Sequence, residues 1–413
     1  MAIKKSPADF QVEEVLASAV ALKITETPGA FALYRLSKES LATPEAASLI
    51  ARQFQAPAGA IAYAGLKDKH ARTTQHVTLK LAKPGAEAPS NRNGPGWSLE
   101  RLGYVGAPIT AEAIAANRFR IVARGLTQEA CEEMDEAAKL LACPSPPGVE
   151  GLDGAAAASL LVVNYFGDQR FGSARHGQGF LARHLVKAEF EQALKLAIAT
   201  PARKDRREDK ERRRAIAEGW GRWQELLARL GERRFPERKA LEVLARKPAA
   251  FRDAFTALPY LLQQLSVYAY QSFLWNEIAR KLVTAQCAER GTLMEADDVF
   301  GVMAFPASAA VPPELRALDL PLLGHKSELK EPWRAVAEGV LAAEQLTTDQ
   351  LRISGVRRPF FGEVPRALFV AAANFELAAP EQDETSGGRR KRALAFDLPR
   401  GAYATVVLRA LGQ

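Results

Sequence analysis

One acid in this chain stands among bases. Asp68 lies in Tyr63-Ala64-Gly65-Leu66-Lys67-Asp68-Lys69-His70-Ala71-Arg72-Thr73-Thr74-Gln75, with Lys67, Lys69, His70 and Arg72 around it. Nearby cations keep a carboxylate ionised, and a basic loop attracts polyanions. The chemistry open to Asp68 is therefore that of a catalytic carboxylate facing an anionic substrate. The same residues also describe a solvated charged turn whose ion pairs contribute little.

Two short apolar runs, 59–64 and 77–81, flank this stretch and read as strands, so Asp68 sits on a strand-to-strand connection. Upstream, the alternation in Asp9-Phe10-Gln11-Val12-Glu13-Glu14-Val15 and in 30–36 predicts two more strands. Residues 43–55 read as a helix, with Thr43 as its cap and Pro44 in its first turn. Residues 84–96 are a Pro/Gly/Asn loop, 99–105 and 118–123 are strands, and 127–141 is a helix capped by Thr127. Cys143 to Gly151 is a breaker cluster and a candidate boundary. From Leu181 to Arg290 the periodicity is helical; the charged run Arg203 to Arg214 reads as an exposed helix or hairpin tip. Short strands are expected at 299–305 and 356–361. A tight Thr385-Ser386-Gly387-Gly388 loop follows, then strands at 393–398 and 403–408.

This order predicts an α+β fold whose mixed sheet is completed by the C-terminal strands after a long insertion. A chain of 413 residues has room for two domains, and 47% hydrophobic residues build real cores. The net charge of +8 suits an acidic partner. Three scattered cysteines imply neither disulfides nor a zinc site and point to a reducing compartment. No apolar h-region follows Lys4 and Lys5, and no run is long and apolar enough to span a membrane, so a cytoplasmic protein is expected.

The chain lacks a Gly-x-x-x-x-Gly-Lys-Ser/Thr loop, a dinucleotide Gly-x-Gly-x-x-Gly, a His-Glu-x-x-His pair and a Gly-x-Ser-x-Gly elbow. Phosphate-loop, metal and serine-hydrolase chemistry therefore rank low. What remains is a carboxylate in a basic setting with aromatics among glycines. That set suits a nucleobase substrate: cations hold phosphates, rings stack a base, and an acid works on the sugar or moves a proton.

Four blocks carry a resemblance. Asp9-Phe10 with Val12 and Glu14, then Ala64 to Gln75, then Asn164-Tyr165-Phe166-Gly167-Asp168-Gln169-Arg170-Phe171-Gly172, and finally Leu398-Pro399-Arg400-Gly401-Ala402-Tyr403-Ala404-Thr405 resemble the TruD family of tRNA pseudouridine synthases, in that family's order. The resemblance implies isomerisation of a uridine, position 13 of a tRNA in bacterial members, to pseudouridine without metal or cofactor. It makes Asp68 the catalytic residue, either attacking C1′ of the ribose or drawing a proton from C2′. It matches Phe10, Asn117 and Tyr403 to positions that touch the target nucleotide and Phe119 to a ring that stacks on the base. Lys67 is expected as the cation nearest Asp68. Asp168 ranks as structural. It further implies a discontinuous catalytic domain, 1–163 with 370–413, interrupted by an inserted TRUD domain at 164–369. A monomer acting on tRNA is expected. The competing readings are a non-catalytic RNA-binding or RNA-folding module on the same scaffold, and an RNA glycosidase that releases free uracil.

Overall fold

Phe10, Val12 and Glu14 are buried while Gln11 and Glu13 between them are exposed, and this alternation forms strand β1 (Phe10–Leu16). The computed structural model describes residues 2–57, 59–144, 158–172, 178–202 and 205–413. Ser145 to Gly151 of the breaker cluster, His176 and Arg203 lie outside them.

The chain continues as β2 (Phe31–Glu39), β3 (Ile61–Tyr63), β4 (Arg72–Lys80), β5 (Arg92–Gly94), β6 (Trp97–Val105), β7 (Ile114–Leu126), β8 (Ala142–Cys143) and β9 (Ser159–Val163). Two small sheets follow, β10 (Leu293–Asp298) with β11 (Gly301–Pro306) and β12 (Asp319–Leu322) with β13 (Val364–Ala367). The last strands are β14 (Phe369–Leu377), β15 (Glu381–Gln382) and β16 (Arg390–Pro399). Hydrogen bonding joins twelve of them in one sheet, in the order β5-β6-β2-β4-β1-β7-β16-β14-β9-β8, with β3 on β4 and β15 on β16. β1 runs parallel to β4, whereas β1–β7, β7–β16 and β14–β16 are antiparallel, so the sheet is mixed. The α+β class read from the sequence is the class the chain has. Residues 393–399 pair with β7, so a late segment completes an early sheet.

The chain divides into two compact units, Met1–Val162 with Val370–Gln413, and Val163–Phe369. In the first, helix Thr43–Gln53 buries Ala46, Ile50 and Ala51 in a core with Tyr34, Leu36, Val77 and Trp97. Each fully buried aliphatic side chain of this kind contributes roughly 1.5–3 kcal/mol. Thr127 caps helix Gln128–Leu141 as expected, its hydroxyl accepting from the Ala130 amide. Thr43 does not cap its helix. Ala42 takes the cap position, and the Thr43 hydroxyl serves the Asp68 loop instead.

In the second unit the 28-residue helix Tyr260–Cys287 is buried along most of its length. Its polar side chains close loops: Trp275 Nε1 donates to Leu320 O, and Gln271 Nε2 to Leu323 O and Gly362 O. The Asn164-to-Gly172 block packs here too, with the Tyr165 hydroxyl on Ala304 O and Asn276 bonded to both the N–H and the C=O of Phe166. Asp168 is exposed in a short 3-10 turn.

Four expectations need correction. Residues 84–96 are not loop throughout, because Arg92–Gly94 forms β5 and pairs with β6. Residues 403–408 form no strand: Gly401 turns the chain with φ +85, and Ala404–Ala410 is a helix burying Val406, Val407 and Leu408. Tertiary burial overrides the β-branched preference there. Residues 356–361 form no strand either, because Pro359 has no N–H for a ladder and Gly355 turns with φ +72. The charged run is a helix, Arg207–Glu218, but it is not exposed throughout. Arg213 is buried and ion-pairs with Asp205 and with Glu237, itself buried.

Candidate active site

Residues 64–71 connect β3 to β4, and their backbone is pinned from below. The Lys67 amide donates to Thr43 Oγ1 at 3.0 Å, and that hydroxyl donates to Gln75 Oε1 at 2.8 Å. Gln75 Nε2 reaches back to Gly65 O at 3.4 Å. The buried Lys38 ammonium, coming up from β2, donates to Leu41 O at 2.7 Å, Asp68 O at 3.1 Å and Lys67 O at 3.5 Å. Ala71, at the end of the loop, is fully buried. The main chain on either side of Asp68 is thus fixed, while its side chain stays about one-third exposed.

The cations that ring Asp68 in sequence are committed elsewhere. Lys67 Nζ lies 2.6 Å from Glu14 Oε1, Lys69 pairs with Glu45 at 3.5 Å, and Arg72 Nε donates to Glu39 at 2.7 Å. Lys67, expected beside the Asp68 carboxylate, is the counterion of a buried glutamate on β1. Burial pushes the Glu14 carboxyl up, but the hydrogen bonds from His76 and the charge of Lys67 outweigh it and hold Glu14 below the usual range. A cation that does reach Asp68 is Lys4, whose Nζ stands 2.5 Å from Oδ2.

Lys4 also lies over the Phe10 ring, 4.1 Å from its centroid, a cation–π contact that ties the acid to the first strand. Phe10 meets Phe119 edge-on at 6.1 Å, and Phe119 meets Phe396 at 5.7 Å, an aromatic row across β1, β7 and β16. Phe119 is 9% exposed and Phe10 3%. Asn117 shares the Phe119 face of β7, opposite Glu14 on one side and Leu398 on the other. Its Oδ1 is buried and accepts no hydrogen bond from the described residues. Between Asn117 and Phe119, Arg118 clamps Asp397 through Nε (2.9 Å) and Nη2 (3.0 Å), which fixes the register of β7 on β16. Tyr403, partly buried, precedes helix Ala404–Ala410, five residues beyond Leu398. The fold therefore links Asp68 to Phe10 through Lys4, sets Phe119 edge-on against Phe10 and places Asn117 on the Phe119 face of β7; Tyr403 is the N-cap of the helix that follows β16.

Sequence reasoning missed the residues that hold Lys4 in place. Ala2 pairs with Arg124, Lys5 Nζ donates to Thr385 O at 2.9 Å, and the Ser6 amide donates to Asp9 Oδ2. Arg124 Nε and Nη1 in turn bind Asp9 and Asp383 at 2.9 and 3.0 Å. The signal available was Lys4-Lys5-Ser6-Pro7 ahead of the Asp-Phe block, a pair of lysines weighed above only for the absence of a leader. Among the described residues no group of three His, Cys, Asp or Glu side chains is placed to hold a metal ion. Among the described residues no helix is long and apolar enough to cross a membrane.

The family model described as tRNA pseudouridine synthase D (TruD) matches residues 1–411. The chain belongs to the TruD family. TruD proteins are isomerases that convert uridine in tRNA to pseudouridine. Similar relatives include the tRNA pseudouridine synthase D of Aquifex aeolicus, 27% identical over 99% of this chain and 97% of its own. That of Leptospira interrogans is 23% identical over 99% and 95%. A crystal structure of a TruD candidate from Methanosarcina mazei superposes with a TM-score of 0.71 at 23% identity, over 99% of this chain and 92% of that one, which bears on the TruD fold.

Proposed function

We propose that Asp68 is the residue with which this TruD protein breaks the N-glycosidic bond of its target uridine, at position 13 of a tRNA. The observation that carries the reading is the convergence on one carboxylate of a pinned backbone, a cation and an aromatic row. Lys4 ion-pairs with Oδ2 of the acid, whose side chain stays about one-third exposed. An ionised carboxylate facing a ribose has two routes. It attacks C1′, forming an ester as the C1′–N1 bond breaks and the uracil leaves as its anion; C5 of the turned base then attacks C1′ and displaces the carboxylate. Alternatively it takes the C2′ proton, and the base departs to leave a glycal, which C5 re-attacks as the proton returns. In both, the C5 proton is lost and N1 ends protonated, so the product is an isomer and no co-reactant is consumed.

The other residues take roles that follow from their chemistry. Phe119 offers a flat face for the base, and Phe10 braces it. Asn117 Oδ1 is an unpaired acceptor for a substrate N–H or O–H. Tyr403 closes the nucleotide from the C-terminal end of β16, and Lys67 acts indirectly, through Glu14. In this reading the two-piece unit is the catalytic domain and the 163–369 unit the TRUD insertion. The reading takes the protein as a monomer working on cytoplasmic tRNA without a cofactor. The test is Asp68→Asn, which keeps the side-chain shape. Pseudouridine formation should vanish while tRNA binding persists; undiminished turnover would overturn the assignment, and release of free uracil by the parent chain would make it a glycosidase.

A further inference from the structure

We propose that Lys38 is a positioning residue for the reaction: its buried ammonium grips the main-chain carbonyls of Lys67 and Asp68 and so sets the angle at which the Asp68 carboxylate meets the ribose. The proposal rests on the reading of Asp68 as the catalytic acid. Lys38 sits on β2 and is 3% exposed. Its Nζ bonds are to three carbonyl oxygens, Leu41 at 2.7 Å, Asp68 at 3.1 Å and Lys67 at 3.5 Å. Among the described residues it has no carboxylate within ion-pair distance. A buried lysine without a salt bridge is rare, because desolvating an ammonium is costly. A neutral side chain of similar length would fill the same space without that cost. What the charge supplies is a set of charge-assisted hydrogen bonds, stronger than neutral ones, to the backbone that carries Asp68.

The electrostatics agree. Burial draws the Lys38 ammonium down to about 8, against the pull of Asp68 upward and with the repulsion of Lys67. Its cross-strand neighbours, Thr73 on β4 and Trp97 on β6, carry no charge. The grip is therefore present at neutral pH and released just above it. The sign for folding is opposite. Between about 8 and 10.5 the folded chain has lost a proton that the unfolded chain still binds, so on this group's account stability rises with pH across that window. A loss of rate there is not unfolding.

The test compares single-turnover pseudouridine formation from about pH 6 to about pH 10 in the parent, Lys38→Met and Lys38→Arg, with hydrogen exchange over residues 65–70. Lys38→Met should lower the rate at neutral pH by about 100-fold, the scale of an ångström misplacement, with tRNA affinity within about twofold. Its loop amides should exchange about tenfold faster while those of β4 stay protected. The parent rate should fall above pH 8, and Lys38→Arg, whose guanidinium stays charged, should move that fall upward. A Lys38→Met chain with the parental rate, a Lys38→Arg chain with the parental fall, or loop and β4 loosened alike would each overturn the proposal. Asp68→Asn in the same assay separates the two readings. If it turns over, the catalytic assignment fails; if it is dead beside a fully active Lys38→Met, only the role of Lys38 fails.

Discussion

The Lys67 ammonium, one residue before the proposed catalytic acid, lies 2.6 Å from Glu14 Oε1 on the first strand of the sheet. Glu14 is the second anchor of the loop, since its other oxygen accepts the His76 amide at 2.8 Å. Its side chain is fully buried and that of Lys67 nearly so. Removing one partner leaves a desolvated charge, so Glu14→Gln should cost about 3 kcal/mol, read from denaturant unfolding. The pH sign follows. The folded chain holds Glu14 below 4.5, so its contribution is full above that value and is lost as pH falls through the lowered one. Glu14→Gln should flatten the acid limb of the stability curve; an unchanged limb would show that another carboxylate governs it.

Lys4 and Asp68 form a pair of a different kind. Their side chains are 27% and 32% exposed, so water screens the ion pair, and its worth to folding is about 0–1 kcal/mol. Its worth to chemistry, in aiming the acid at the ribose, is larger. Lys4→Met should therefore leave the melting temperature within a few degrees and lower the rate by about 10- to 100-fold. A variant that melts early and turns over normally would assign Lys4 to the fold alone.

The aromatic row separates packing from recognition. Phe119 touches Phe10 and Phe396, so Phe119→Ala should cost about 3–5 kcal/mol through the cavity it leaves. Phe119→Leu refills most of that space without a flat face. It should fold with a loss of about 1 kcal/mol and still lose much of the rate. Full activity in Phe119→Leu would mean that the ring serves the core and not the base.

What the sequence made legible and what it hid differ by contact distance. Asp68, Phe10, Asn117 and Phe119 could be put forward as candidates because each lies inside a short block that resembles a family motif. Lys4 reaches Asp68 across 64 residues, Lys38 reaches it across 30, and the Lys67 amide meets Thr43 across 24. Nothing in local spacing announces such contacts. Thr43 shows the limit: a threonine before Pro44 is a sound cap on local grounds, and the fold spends its hydroxyl on the loop. The Ala404–Ala410 helix shows a second limit, since Thr405, Val406 and Val407 favour strands until burial decides.

Charge in the second unit is divided between internal and outward roles. Residues 203–253 hold seventeen basic and ten acidic side chains, a net of +7 out of the chain's +8. Part of that charge is structural. Arg213 meets Asp205 and Glu237, and Arg212 meets Asp209 and Glu237, which locks helix Arg207–Glu218 to the segment before helix Arg238–Arg246. The Phe235 ring lies 5.4 Å from the Arg212 guanidinium and holds the same segment. Arg206, Arg214, Arg233 and Arg234, by contrast, are exposed and have no acidic partner among the described residues. Outward arginines without carboxylates suit phosphates, and each phosphate contact adds about 0.7–0.9 to the slope of log affinity against log salt. Replacing all four with Gln in the Asp68→Asn chain should reduce that slope for tRNA by about 3 and weaken binding most at low salt. The fold should be untouched, because surface changes of this kind stay within about 0.5 kcal/mol. Arg213→Gln should do the reverse, destabilising the helices with little change in slope. If the four-fold variant keeps the parental slope, the tRNA phosphates are held elsewhere on the chain.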